Sequence, residues 1–323
     1  MHYNIHDIVK INCNVKYFPK FFETEEFTNP DILIKQHNFN FDKDKHKKLG
    51  LKFYGGKKNL YLEYLVYGMP IQKLLLKNIF GKKSEVHFSY LTRKFFGIES
   101  LFSLFLEIQL LKKGYTLIHA GGFAKDGKGY LIPSWSEMGK SSTVFALAPK
   151  FKMMSDDLII LSKKGRLYSY PMKCGIFWHS RNIPPNVSLK NKLEMSVRFL
   201  MAKLPPLYLY IDPSIRVDLT DLSELEPSAK LEKTYLLDWG NGAEKMDKET
   251  CINKIITTSV LTLLWTFGTR EIFSAYCYLN NMPSDFIERR MRSILEKGLN
   301  DDIFLVKSKK KDFYKFIERD LKR

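Results

Sequence analysis

The sequence predicts an α/β fold with an α+β tendency, built around a mixed, hairpin-rich sheet. Short apolar and β-branched runs alternate with turn residues through much of the chain. Two turn dipeptides, Asp126-Gly127 and Lys164-Gly165, join successive runs closely enough to form hairpins, whereas parallel neighbours need long crossovers. Apolar residues at three- and four-residue spacing predict a helix before Gly114 and further helices toward the end of the chain.

Residues 1–113 form the first predicted region, an N-terminal α+β part. Its strand-like runs include VKINCNVKYF, DILIK, KLGLKFYG and KNLYLEYLVY, with Gly and Pro turn signals between them. After Met69-Pro70 the pattern turns helical. The run YLTRKFFGIESLFSLFLEIQLLKKG predicts a long amphipathic helix that stops at Gly114.

Residues 114–242 form the second predicted region, which is rich in strands. The runs YTLIHAGGFAK and GYLIPS flank Asp126-Gly127, and the helix-like run KSSTVFALAP ends at Pro149. The next strand, KFKMMSDDLIILS, begins or bends at Asp156-Asp157 and returns across Lys164-Gly165 into KKGRLYSYP. A later apolar run, LEKTYLLDW, predicts one more strand.

Residues 243–323 form the third predicted region, a mainly helical part that we expect to pack on the core. Its helix-like runs are DKETCINKIITTSVLTLLWTF, SDFIERRMRSILEKGL and DFYKFIERDLKR. The most apolar stretch, Ile255 to Phe267, is too short and too rich in Thr to cross a bilayer. We therefore expect no membrane span.

The net charge of +17 is high, and lysines concentrate at Lys43 to Lys48 and Lys307 to Lys311. A basic surface raises the local concentration of anions. The charge is compatible with a nucleotide, a nucleic acid, an acidic membrane or an acidic protein as partner, and equally with ordinary solvated lysine faces. No RNP, KH or helix-turn-helix pattern accompanies it.

The four cysteines show neither a CxxC motif nor a Cys/His pair at metal-ligand spacing, which argues against a zinc site. The N-terminal run MHYNIHDIVKINCNVKYF is polar and lacks the apolar core of a secretory signal. These observations favour a reduced chain, and we expect a cytoplasmic location.

The stretch LIPSWSEMGKSSTVFAL carries the strongest chemical signal. A strand, a turn, Gly139-Lys140-Ser141 and a helix follow one another in the order of a phosphate-binding loop. Such a loop aims backbone N–H groups at phosphate oxygens, and the positive end of the following helix adds to that field. Lys140 is expected to reach the β- and γ-phosphates, and Ser141 to offer its hydroxyl to Mg²⁺.

Asp156-Asp157 lies fifteen residues beyond Ser141. Phosphoryl transfer needs an acid that holds the metal and a base that takes the acceptor proton, and two carboxylates can supply both. Alone, the pair is more typical of a solvated turn or an N-cap, and His119 between apolar residues is more typical of a core histidine. Their occurrence in one order with the GKSS stretch favours the functional interpretation.

These motifs resemble the HPr kinase/phosphorylase family and its relatives, which share the phosphoenolpyruvate carboxykinase-like P-loop fold. The matching residues are IHAGGFA, KDGKG, YLIPSWSEM, GKSS, TVFALAP and MMSDDLIIL, so the resemblance covers about Leu117 to Leu161 and continues weakly through LEKTYLLDWGNG. Residues 1–113 do not match the N-terminal domain of true HPr kinases, and no counterpart of their C-terminal signature is found. The likeness is therefore to the broad group of HPr-kinase-like proteins, and it implies that 114–242 is the P-loop core. Relatives that form dimers or hexamers make self-association an expectation as well.

The resemblance implies roles for individual residues. Lys140 would bind the β- and γ-phosphates, Ser141 would ligate Mg²⁺, and Asp157 would hold Mg²⁺ directly or through water. Asp156 would be the base for the acceptor hydroxyl, with the two Asp roles open to exchange, and His119 would lie near the γ-phosphate or hold the Asp pair. The cofactor-binding residues expected on this basis are Ser134, Trp135, Ser136, Glu137, Met138, Gly139, Lys140, Ser141 and Ser142. Arg181 and Arg216 are candidates for a cation that stabilises the transferred group, although each is equally compatible with an ordinary surface arginine.

Two residues depart from the family pattern. Ser134 replaces a Gly that tolerates a tight turn, and it fits if the backbone there is extended. Glu137 would repel phosphate if its side chain pointed into the loop and would be harmless, or would contact the acceptor or the metal, if it pointed outward. Trp135 would either cover the nucleotide or pack on the loop.

The sequence therefore predicts an ATP- and Mg²⁺-dependent kinase that phosphorylates a hydroxyl of a protein serine, a small metabolite or another anionic acceptor, RNA included. Residues 1–113 would contribute to recognition of that acceptor. Two alternatives stay open: a nucleotide-binding pseudo-kinase or sensor module, and a basic nucleic-acid-binding protein whose binding depends steeply on salt.

Overall fold

The computed structural model describes residues 1–66, 69–96, 98–177, 187–204, 214–264 and 268–322. Within these ranges the chain forms eight α-helices, two large sheets and a two-stranded ribbon. The predicted mixed α/β class with α+β character is confirmed.

The strands and helices follow the chain in a fixed order. The strands are β1 (His2–Ile5), β2 (Val9–Cys13), β3 (Glu23–Thr24), β4 (Ile32–Gln36), β5 (Lys47–Leu49), β6 (Phe53–Gly56), β7 (Asn59–Val66), β8 (Met69–Lys77), β9 (Ser84–Phe88), β10 (Tyr115–Lys125), β11 (Lys128–Pro133), β12 (Lys152–Ser155), β13 (Leu158–Ser162), β14 (Arg166–Ser169), β15 (Cys174–Phe177), β16 (Ser214–Val217), β17 (Ser228–Asp238), β18 (Asn241–Lys245) and β19 (Ile303–Ser308). The helices are α1 (Tyr90–Phe96), α2 (Glu99–Lys113), α3 (Lys140–Leu147), α4 (Leu189–Ala202), α5 (Lys248–Leu264), α6 (Thr269–Leu279), α7 (Phe286–Gly298) and α8 (Tyr314–Asp320).

The chain folds into two compact units. The first comprises Met1–Thr116 and Ser259–Ile294, and the second comprises Leu117–Thr258 and Leu295–Arg323. The chain after residue 242 is divided between the units: α6 packs against β5, β6 and β7 of the first, and β19 joins the sheet of the second.

The first unit contains a nine-stranded sheet in the order β3-β1-β2-β4-β9-β8-β7-β6-β5. The predicted helix before Gly114 is confirmed as α2, which ends at Gly114 in the left-handed conformation (φ 84°). The prediction that the helical pattern starts after Met69-Pro70 is wrong, since β8 and β9 form an antiparallel pair there. The run Leu74–Leu76 is buried on both faces of this sheet, so its sequence lacks the alternation that marks a half-buried strand.

The second unit contains an eight-stranded sheet that carries the predicted motifs. Its main path is β11-β10-β13-β14-β17-β19-β18; β12 pairs with β10, and β11 also pairs with β17. The β11–β17 and β17–β19 pairs are parallel, whereas β10–β11 and β13–β14 are antiparallel, so the sheet is mixed as predicted. Both predicted hairpins are present, with Asp126, Gly127 and Gly165 at positive φ.

Stacked aromatic rings cross the strands of this second sheet. Phe123 on β10 stacks on Tyr130 of β11 with ring centroids 4.8 Å apart, and the series continues through Tyr235 on β17 to Phe304 on β19. Tyr235 also donates a hydrogen bond to Asp320 (2.7 Å). Cross-strand aromatic pairs stabilise a particular strand order and register, so this series helps to place β11, which leads into the GKSS stretch.

The expectation of a mainly helical C-terminal part needs one correction. The segment Ile303–Ser308 is a strand, β19, and runs parallel to the end of β17. Its six residues, IFLVKS, are largely apolar and end in the lysine run that the sequence marked only as basic. The residues that follow β19 are thereby carried to the loop that precedes α3.

Candidate functional site

The loop between β11 and α3 begins with a buried serine. Ser134 forms an isolated parallel bridge with Leu237, and its hydroxyl donates to the carbonyl of Trp135 (3.1 Å). The positive φ angles of this loop fall at Glu137 (64°) and Gly139 (106°). Ser134 therefore occupies an extended position that does not require glycine.

Glu137 has an exposed side chain, so its carboxylate faces outward. Its backbone carbonyl accepts a hydrogen bond from the ammonium of Lys311 (2.7 Å). The Cβ and Cδ of Lys311 also lie near Gly139, where an added Cβ would meet them at 3.4 and 3.6 Å. Sequence reasoning missed Lys311, because the run Lys307 to Lys311 signalled only charge and not its contact with the loop.

Lys140 is the first residue of α3, and its side chain is only 6% exposed. The stem passes over Gly121 of β10, where an added Cβ would lie 3.1 Å from Lys140 Cγ and 2.7 Å from Val144 Cγ2. The glycine in the AGG stretch therefore allows α3 and the lysine stem to approach the strand closely. This packing directs the ammonium toward His119 and the Asp pair.

The ammonium of Lys140 joins two other predicted residues. Lys140 Nζ lies 2.9 Å from Asp157 Oδ1 and 2.7 Å from His119 Nε2, and that same Nε2 is 3.0 Å from Asp157 Oδ1. One neutral imidazole nitrogen either donates or accepts. When Nε2 carries the ring proton it donates to Asp157, and when the proton is on Nδ1 it accepts from the Lys140 ammonium. Lys140, His119 and Asp157, which the sequence singled out as candidate residues, therefore lie together.

Asp156 is buried, and burial raises its pKa to about 7, with the negative charge of Asp157 adding to the shift. The charge of Lys140 and hydrogen bonds that include one from the Ser141 hydroxyl act in the opposite direction but do not overcome it. The side chain is thus a carboxyl group that changes its protonation state near neutral pH.

Asp157 has the opposite character. Burial by itself would raise the pKa of Asp157, but the hydrogen bond with His119 and the charge of Lys140 outweigh it and hold this pKa well below its ordinary value. Its side chain is 49% exposed. Adjacent residues at the bend between β12 and β13 therefore supply one carboxylate that is ionised at neutral pH and one carboxyl group that titrates near it.

Asp156→Asn should change how stability depends on pH. The folded pKa of Asp156, about 7, exceeds its ordinary value of 3.8, so its stabilising contribution is complete below pH 3.8 and is lost as the pH rises through 7. We expect the variant to gain on the wild type, by a few kcal/mol, as the pH rises from about 5 to about 8. Urea denaturation of both proteins at the two pH values measures this, with Asp126→Asn in the exposed turn as control. An unchanged difference between variant and wild type would contradict the shifted pKa.

A cleft of about 250 Å³ adjoins the first half of the loop. It is lined mainly by apolar surface, and Trp135, 51% exposed, is one of its walls. The other lining residues are Pro133, Ser134, Met138, Leu236, Leu237, Asp238, Asn253, Lys254, Thr257 and Thr258. The predicted loop residues Ser134, Trp135 and Met138 thus border a concave surface, whereas the residues from β17 and α5 were not singled out from the sequence.

The other predicted residues are less informative. Ser136 is exposed at the tip of the loop, and Ser142 is half-buried on α3. Arg216 is an exposed residue of β16, and Arg181 lies outside the described residues. The four cysteines are buried and form no disulfide.

Two other features, a metal-ligand cluster and a membrane-spanning helix, are absent from the part of the chain that the structure describes. No group of three or more His, Cys, Asp or Glu side chains is arranged to hold a metal ion. No single helix is long and apolar enough to cross a bilayer; α5 and α6 pass that test only as one bent pair, by length and composition alone.

Comparisons with known proteins add no family. No protein-family model matches the chain, and no curated protein is similar to it in sequence. The features that bear on function are therefore the geometry and charge of the Lys140–Asp157–His119 cluster and of Asp156.

Proposed function

We propose that this chain is an ATP- and Mg²⁺-dependent phosphotransferase that moves the γ-phosphoryl group to a hydroxyl of a protein serine, a small metabolite or another anionic acceptor. We further propose that its second unit is an HPr-kinase-like P-loop core of the phosphoenolpyruvate carboxykinase type. The observation that carries the proposal is the contact of Lys140, in the GKSS stretch, with Asp157, which is preceded in the chain by Asp156 with a pKa shifted in the opposite direction.

The start of α3 supports phosphate binding. Backbone N–H groups in the first turn of a helix have no intrahelical partner, and the helix dipole favours negative charge at this end. Lys140, Ser141 and Ser142 all lie in that first turn. A triphosphate placed there would compete with Asp157 for the Lys140 ammonium, which already lies at hydrogen-bond distance from one anionic oxygen.

The two aspartates suit two different tasks. A general base works best when its pKa lies near the operating pH, as that of Asp156 does. Asp156 would take the proton of the acceptor hydroxyl while the hydroxyl oxygen bonds to the γ-phosphorus. The bond from that phosphorus to the β–γ bridging oxygen would break in the same step, and ADP would leave. Asp157, whose pKa is depressed, stays anionic at neutral pH.

The donor set also fits Mg²⁺. This ion is usually held by one or two carboxylates together with substrate phosphates and water, so a cage of three protein ligands is not needed. Ser141 and Asp157 are the residues proposed to hold it, with Asp156 next to Ser141 as the exchangeable alternative. When bound, the ion would neutralise charge on the β- and γ-phosphate oxygens.

The apolar cleft beside the loop gives a place for the nucleoside. Ligand pockets combine apolar walls with a few polar groups, and Trp135 with Asn253 and Asp238 provides both kinds of surface. An exposed indole next to a phosphate-binding loop is well placed to stack on a planar base. This favours Trp135 as a cover for the nucleotide.

Titration of ATP with Mg²⁺ into the wild-type chain, followed by calorimetry, tests the proposal. We expect saturable binding and slow release of inorganic phosphate, because water can replace the acceptor hydroxyl. Trp135→Ala should weaken binding by about 10-fold if the indole stacks on the base. Absence of ATP binding by the wild type would overturn the proposal, and binding with no transfer to any acceptor would favour a nucleotide sensor.

A further inference from the structure

Helix α4 carries a continuous apolar stripe on its exposed side. The stripe consists of Leu189, Leu193, Val197, Leu200 and Met201 on the helix and Leu204 two residues beyond its end, which are 40 to 83% exposed. The spacing of three and four residues places the five helical members on one face of α4. Fifteen large hydrophobic side chains are exposed in the described residues, and six of them lie among the sixteen residues from Leu189 to Leu204. Exposed apolar surface is therefore concentrated in this segment.

The opposite face of α4 is already used by the fold. Met195 is buried, and the Arg198 guanidinium donates to the carbonyl of Ser214 at the start of β16 (3.3 Å). The Ser188 side chain caps the helix by accepting from the Asn191 amide (3.2 Å). One side of α4 is therefore held against the fold, and the exposed apolar stripe lies on the other side.

Positive charge surrounds the stripe. Lys190, Lys192 and Lys203 lie on the same helix or at its end, and none of them has an ion-pair partner within the described ranges of the structure. The acidic residue of the helix, Glu194, is paired with Arg198 (2.8 Å). The segment from Ser188 to Leu204 thus combines exposed leucines with a net positive rim.

A second copy of the chain is a poor occupant for this face. At 1.5 Å per residue the stripe is about 24 Å long, and it consists of six partly exposed side chains. A stable dimer buries about 800 Å² of accessible surface and about 20–30 residues on each partner, so the stripe alone is too small. A two-fold contact through this face would also bring the lysine rims of both copies together.

We propose that α4 is a docking site for an anionic lipid surface, on which the helix lies in the plane of the interface. Interfacial helices combine one apolar face with basic flanks, and their binding increases with both apolar burial and attraction to anionic headgroups. A small apolar stripe suffices, because the lipid surface covers it without a complementary protein shape. This inference is independent of the proposed kinase activity, since it concerns a different surface and its test needs no nucleotide.

Flotation of the full chain with lipid vesicles tests this inference. The vesicles contain phosphatidylcholine alone or phosphatidylcholine with about 30 mol% phosphatidylserine. We expect binding to the anionic vesicles, with weaker binding to the neutral ones and in high salt. Leu193→Ser combined with Leu200→Ser should reduce binding by at least about tenfold, and replacing Lys190, Lys192 and Lys203 with Gln should abolish the preference for anionic lipid. Leu51→Ser combined with Leu91→Ser, two exposed leucines outside α4, should bind as the wild type does.

Two results would overturn the inference. One is failure of the wild type to float with anionic vesicles. If sedimentation velocity then shows a dimer that the Leu193/Leu200 variant loses, a second copy of the chain covers the stripe instead of a lipid surface. The other is equal binding by the stripe variant and the wild type. Circular dichroism of each variant shows whether it is folded. The lysine variant changes exposed residues, of which Lys203 also lies over the Phe199 ring (4.5 Å), and it provides an independent measurement.

Discussion

Lys140→Met should reduce the rate of phosphoryl transfer by about 10²–10³-fold and weaken ATP binding by about tenfold or more. Methionine retains a flexible stem of similar length, so packing over Gly121 and Val144 is preserved while the ammonium is lost. In the loose transition state negative charge shifts toward the oxygens of the departing ADP, and an ammonium that reaches the β- and γ-phosphates would stabilise that charge more than it stabilises bound ATP, so the rate should fall more than the affinity. Calorimetry and a phosphate-release assay measure the two effects separately.

A second readout separates this role from a structural one. The charge of Lys140 lowers the pKa of Asp156, so its loss should move the midpoint of any pH–rate profile above the wild-type value. Lys164→Met is the control, because it removes one lysine from the exposed turn between β13 and β14. This variant should leave rate and affinity unchanged. Wild-type affinity and rate in Lys140→Met would show that the GKSS stretch does not bind phosphate.

Asp156→Asn should lower the transfer rate by about 10²–10⁴-fold while ATP affinity changes little. Asparagine matches aspartate in shape but cannot take the acceptor proton. The wild-type rate should rise with pH through about 7, as Asp156 loses its proton, and this rise should be absent from the residual activity of the variant. A pH–rate series on both proteins, with single-turnover conditions to isolate chemistry, gives the result.

Asp157→Asn is the matched comparison for Asp156→Asn. Its main effect should be on the Mg²⁺ requirement, because Asp157 is the proposed metal carboxylate and its pKa is already depressed. If Asp157→Asn removes the pH dependence and Asp156→Asn shifts the Mg²⁺ requirement, the two roles are exchanged. If both variants transfer phosphate at the wild-type rate, the Asp pair takes no part in the chemistry.

Much of the local structure around the site followed from the sequence. Asp126-Gly127 and Lys164-Gly165 predicted hairpins because residues with positive φ are needed at such turns, and both are present. The sequence also predicted a helix that begins at Lys140 and a bend at Asp156-Asp157, and both are present. The sequence could not show whether Ser134 fits where related loops have glycine, or whether the Glu137 side chain points into the loop. Both questions depend on the backbone angles of the loop, which the residue types alone do not fix.

Features that depend on near neighbours could be read from the chain alone: turn dipeptides, helix periodicity and the order of Lys140, Ser141 and the Asp pair. Which aspartate is buried depends on tertiary contacts, because adjacent residues on a bend can face either way and their pKa values depend on groups remote in sequence such as His119. The tertiary structure also decided that Lys311 contacts the loop and that β19 lies beside β17. Contacts between residues so far apart in the chain result from the packing of the whole unit, and no local pattern encodes them.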